Sequence, residues 1–93
     1  MSQSDINIES YTIFNKWDEL LNEVYQYLKT IMPKDEFVAL EKDELKWIEE
    51  KENAMSKAAA EWEGGSGAPM AVNMAGTEYT KERCYYLISL INK

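Results

Sequence analysis

The stretch EWEGGSGAPMA, Glu61 to Ala71, constrains this chain more than any other. Gly64 or Gly65 can take the left-handed backbone that ends a helix. Ser66 to Pro69 can start the next one, because proline suits a first turn whose amide hydrogens have no partner. The only other strong interruption is MPKDEF. Pro33 cannot continue a helix but can open one, with Asp35 and Glu36 at its positive end. Between these breaks the apolar residues recur at helical spacing, and no segment alternates with the period of a strand.

The expected fold is all-α: a compact antiparallel three-helix bundle with helices over about 9–31, 33–63 and 68–91. Residues 1–8 form a flexible N-terminal segment, and 9–93 make a single domain. The first helix buries Ile13, Trp17, Leu20, Leu21, Val24, Leu28 and Ile31 on one stripe. The second buries Phe37, Leu40, Leu45, Ile48, Met55, Ala58, Ala59 and Trp62; at 1.5 Å per residue it spans roughly 45 Å and is the longest element. The third ends in CYYLISLI, apolar nearly all round, which places it between the other two. Ninety-three residues, 45% of them apolar, suffice for one modest core.

Charge is uneven. The formal total is −7, with −5 on residues 34–63, −3 on 1–33 and +1 on 64–93. The middle helix is the acidic one. This balance disfavours nucleic-acid backbones and anionic membranes, and suits solubility or attraction to a cationic partner. Cys84, the single cysteine, permits no internal disulfide. A buried core thiol is its expected state, although Arg83 beside it favours a thiolate. Nothing in the chain has the length and apolarity of a membrane span, and MSQSDINIES lacks the apolar core of a signal peptide.

Some charges occupy positions where a plain amphipathic helix would carry leucine. Glu44 and Lys51 project onto the stripe of Ile48 and Met55, and Glu52 lies at its edge. Lys81 sits among Met70, Met74, Cys84 and Ile88. Arg83 shares a side with Val72 and Tyr79, and Glu52 is its expected carboxylate partner; otherwise it reaches water along its stem.

Constellations for catalysis are poor. Histidine is absent, so no Ser-His or Cys-His pair exists. Glu49, Glu50 and Glu52 read as a solvated face rather than a cation site, for they have no calcium-loop spacing. GGSGAP lacks the lysine of a phosphate-binding loop. The expectation is a protein that is not an enzyme and has no cofactor or metal. An exposed Trp62 beside the glycine turn would be a binding feature.

Four segments carry a resemblance. WDELLNEVYQYLK supplies Asp18, Leu21, Asn22 and Tyr25 to a D-x-x-L-N-x-x-Y pattern. WIEEKE supplies Trp47, Lys51 and Glu52; GGSGAPM supplies Gly64, Gly65, Ser66, Pro69 and Met70; TEYTKER supplies Glu78, Thr80 and Arg83. In this order the chain resembles the LprI-like lysozyme-inhibitor N-terminal domain family over nearly its whole length.

The resemblance implies a non-enzymatic binding module of the bacterial envelope, exported and often a lipoprotein, that engages a protein partner, possibly cationic and lysozyme-like. The alternatives are a structural or interaction domain, including a homodimer along Trp62 or Tyr86, and a cytoplasmic location. The binding candidates, from these motifs and from the turn, are Trp47, Lys51, Glu52, Trp62, Gly64, Gly65, Pro69, Met70, Glu78 and Arg83. Family members often carry cysteines where this chain has Glu9, Met55 and Ala75, so packing must replace any staple.

Overall fold

A computed structural model describes residues 2–91, which form three helices and no strand: α1 (Gln3–Ile31), α2 (Lys34–Glu61) and α3 (Ala68–Ile91). The helix starts have distinct chemical causes. Ser2 caps α1: its hydroxyl accepts from the Asp5 amide, and the Asp5 carboxylate accepts from the Ser2 amide. This reciprocal cap satisfies two otherwise orphaned donors, so α1 begins at Gln3 rather than near Glu9, and the expected loose segment is helical from its third residue. Pro33 precedes α2 without a side-chain cap, and Asp35 and Glu36 in the first turn offset the helix dipole instead.

α1 and α2 hold 29 and 28 residues, so α2 is not the longest element as spacing suggested. Nor is the shape compact. The radius of gyration is 15.3 Å, against about 12 Å for an ordinary domain of this length, and the extents are 47 × 23 × 15 Å. Helices of this length joined by short turns can only lie side by side, which makes the molecule a flattened rod.

α3 lies between its neighbours. It packs along both α1 and α2, while those two touch each other sparsely. The contacts fix the register. Ser10 meets Asn73 and Trp17 meets Cys84, so levels rise together along α1 and α3. Between α2 and α3 the order reverses: Met55 meets Gly76 and Asp43 meets Arg83.

Leu21, Leu28, Phe37, Leu40, Trp47, Cys84 and Leu87 form the buried core, flanked by Trp17, Val24, Tyr25, Ile48 and Tyr79. Leu45, expected in it, is exposed, as are Ile13, Leu20, Ile31 and Trp62 and Ala59. With α1 and α2 both leaning on α3, each buries a narrower stripe than a helix enclosed by two close neighbours would. At Gly76 three helices converge: a Cβ there would sit 3.0 Å from Met55 Sδ and from two ring carbons of Phe14. Met55 therefore closes the α2–α3 seam through packing.

Candidate functional site

Two places gather the residues that sequence patterning singles out. The first is a clamp on Arg83. Its Nε donates to Glu44 Oε1 and its Nη1 to Asp43 Oδ2, both at 2.7 Å. Adjacent residues of α2 thus hold one guanidinium across the helix interface. Its Cζ lies 5.0 Å from the Tyr86 ring centroid and 5.8 Å from that of Trp47. Burial opposes the charge, but the hydrogen bonds that Arg83 donates to Asp43 and Glu44 outweigh it and raise the Arg83 pKa above its ordinary value. Arg83 is 8% exposed, whereas Asp43 is 51% exposed, so the clamp is dry on one side and wet on the other.

This corrects the pairing expected from sequence. Glu52 is exposed, and among the described residues neither of Arg83's ion pairs involves it. The reason is register: α3 docks with Arg83 level with residues 43–44, about two turns from position 52. Lys51 instead rests with Nζ 5.0 Å from the Trp47 centroid and 5.9 Å from that of Phe14. Two buried polar atoms in this region, Arg83 Nη2 and Thr80 Oγ1, have no hydrogen-bond partner.

Beside the clamp, Asn22, Tyr25, Gln26, Glu41, Glu44, Leu45 and Ile48 line an open depression of about 290 Å³ between α1 and α2. Burial pushes the Tyr25 phenol above its ordinary pKa. Glu41 and Glu44 push the same way, and Arg83 partly offsets them.

The second place is the turn. The Trp62 amide still donates to Ala58 O at 3.2 Å, and the Gly65 amide then donates to Trp62 O at 3.0 Å. Gly64 has φ 81, the left-handed conformation that side chains disfavour. The Ala71 amide donates to Gly67 O at 3.0 Å, which starts α3 with Ala68 and the exposed Pro69 in its first turn. A Cβ on Gly67 would meet Trp62 ring atoms at 3.2 and 3.3 Å, so the turn is wound against the indole. Trp62 nonetheless remains 48% exposed. Asn7 Nδ2 donates to Ser66 O at 3.2 Å, tying the first turns of α1 to this corner.

The structure therefore sets Arg83 and Lys51 both against the Trp47 ring, with Lys51 outside the clamp, and brings Trp62, Gly64 and Gly65 together at the turn. Met70 is half-buried in the first turn of α3. Glu78 stands apart, exposed at a shallow depression shared with Ser10, Ile13, Met74 and Thr77. Asp43 was not among the sequence candidates. Its exposure left no pattern to find, whereas Glu44 had announced itself by standing on an apolar stripe.

Burial pushes the Cys84 thiol up to about 11, with Asp18 and Glu44 adding to the effect, and the thiol donates to Trp17 O at 3.6 Å. It is a protonated core group, not a poised nucleophile. Among the described residues no group of three acidic, cysteine or histidine side chains is placed to hold a metal ion. No described helix is long and apolar enough to cross a membrane.

Neither the curated proteins nor the solved structures provide a match to this chain. The family model described as lysozyme inhibitor LprI matches residues 1–87, a span that takes in all four motif segments, the clamp and the turn. The chain belongs to the LprI lysozyme inhibitor family.

Proposed function

We propose that this protein is a non-enzymatic binding module of the cell envelope or exterior, exported there to engage a cationic protein, with lysozyme as the leading partner. The family match is the observation that carries this reading. The shape and charge of the molecule support it. The Trp62–Gly67 corner closes one end of the rod, presents a half-exposed indole on a preformed turn, and adjoins the most acidic helix. A rigid aromatic on a fixed backbone loses little conformational freedom on binding. Acidic surface beside it raises the association rate with a basic enzyme more than it raises final affinity.

The test is lysozyme-driven lysis of a cell-wall suspension with increasing amounts of the purified protein. Slowed lysis is expected, with an effect that weakens as salt screens the attraction. Trp62→Ala should diminish it while the helical circular dichroism stays unchanged. An equimolar excess in low salt that leaves lysis untouched defeats the reading.

A further inference from the structure

α3 carries a second exposed strip that the turn and the clamp do not use. At 100° per residue, Met74, Glu78, Lys81, Tyr85 and Ile88 lie within about 40° of one line along the helix. Met74 is 56% and Tyr85 57% exposed. The adjoining edge of α1 extends the surface with Ile13 and Leu20, both exposed, and Ile13 shares a depression with Met74. Trp17 forms the floor between the helices, edge-on to Tyr85 at 6.0 Å and 5.9 Å from Lys81 Nζ.

We propose that this α1/α3 face is the interface of a two-fold homodimer in which α3 packs antiparallel against its own copy. Two observations select a second copy over another occupant. The strip holds one acid and one base, so it is neutral on a chain of net charge −7. Two such chains approach with least repulsion along it. The strip is also complementary to itself. Met74 and Glu78 are four residues apart, as are Lys81 and Tyr85, in mirrored order.

An antiparallel two-fold crossing level with Tyr79–Thr80 therefore sets Glu78 opposite the partner's Lys81 and Met74 opposite the partner's Tyr85. One axis satisfies both pairs, as an isologous interface requires. Among the described residues neither Glu78 nor Lys81 forms an ion pair within the chain. Thioether–aromatic contact suits the Met74 and Tyr85 positions. From Met74 to Ile88 the strip is about 21 Å long, and with the α1 edge the face is about 20 Å wide, so it offers roughly 400 Å² against the ~800 Å² per partner of a stable complex, which suits a weak, concentration-dependent dimer. Trp62 and Tyr86, the edges first expected to dimerise, are less exposed than Met74 and Tyr85, at 48% and 44%.

Sedimentation velocity across a concentration series tests this on the full chain. The unaltered protein should pass from monomer to dimer. Glu78→Lys and Lys81→Glu should each weaken the dimer by at least about tenfold, because each sets like charges face to face. The combined swap should recover it to within about threefold. Tyr85→Lys, which leaves both charges in place, should also dissociate it. Glu78 and Tyr85 are exposed and Lys81 is half-buried, and unchanged circular dichroism verifies the fold of each variant. A chain that stays monomeric at every concentration, or a dimer indifferent to the swaps, overturns the proposal. Neither result bears on the lysis assay, which reads the opposite feature of the molecule.

Discussion

Replacing Arg83 by methionine removes the guanidinium but keeps most of its stem volume. Two α2 carboxylates then lose their partner. Asp43, half-exposed, is rehydrated at little cost. Glu44 is not: its side chain is 10% exposed and stands on the buried side of α2 with Leu40 and Trp47. Breaking a buried pair from one side costs about 3–5 kcal/mol. Since one of the two carboxylates is wet, the lower end applies, about 3 kcal/mol.

For a domain of this size that corresponds to a fall in Tm of roughly 12–24 °C. Thermal melts followed by circular dichroism measure it directly. Adding Glu44→Leu to Arg83→Met should restore much of the loss, because an apolar pair of similar volume needs no charge compensation. A single variant that melts within about 3 °C of the parent would refute the reasoning. It would mean that Arg83 reaches water and that the clamp contributes register without stability. A double variant as unstable as the single one would place the loss in packing around Trp47 and Tyr86.

Other perturbations probe separate parts of the fold. Gly64→Ala forces a side chain into a left-handed conformation at φ 81 and should cost about 1–2 kcal/mol by urea unfolding, although nothing lies within 4 Å of the added methyl. At Gly76 alanine gains about 1 kcal/mol of helix propensity but crowds Phe14 and Met55 at 3.0 Å. Overpacking of about 1–3 kcal/mol should win, giving a lower urea midpoint.

Cys84 should resist thiol reagents in the native state and react on unfolding. Because its folded pKa is raised, it binds its proton more tightly when folded. Stability from this group is therefore intact below about pH 8.5 and is lost towards about 11, with a slope of up to about 1.4 kcal/mol per pH unit. Urea midpoints measured over that range, with Cys84→Ala as the control, read the effect.

The helix count, both breaks and the bounds of α3 were legible because each rests on local chemistry. Proline at 33, glycine at 64 and proline at 69 act within a turn of themselves. The start of α1 was equally local, in the Ser2–Asp5 cap, but a polar opening segment masked it. What could not be read was register. Arg83 and Glu44 each stood out as charges on apolar stripes, yet nothing in the spacing says whether α3 docks level with residue 44 or residue 52. That choice depends on contacts among residues far apart in sequence, such as the seating of Gly76 between Phe14 and Met55.

The burial of Leu45 and Ile13 was misjudged for a related reason. Periodicity marks which side of a helix is apolar, not how much of that side a neighbour covers. Here α1 and α2 lean on α3 rather than on each other, so the margins of their stripes stay uncovered.

That arrangement bears on how the molecule comes into being. A growing chain that has released only its first two helices holds a pair with little to grip, each rod still lacking the surface its apolar side needs. Cooperative folding must wait for residues 68–91, which emerge only after both of their neighbours. A chain cut short before Ala68 should be protease-sensitive along its entire length, not merely at a ragged end.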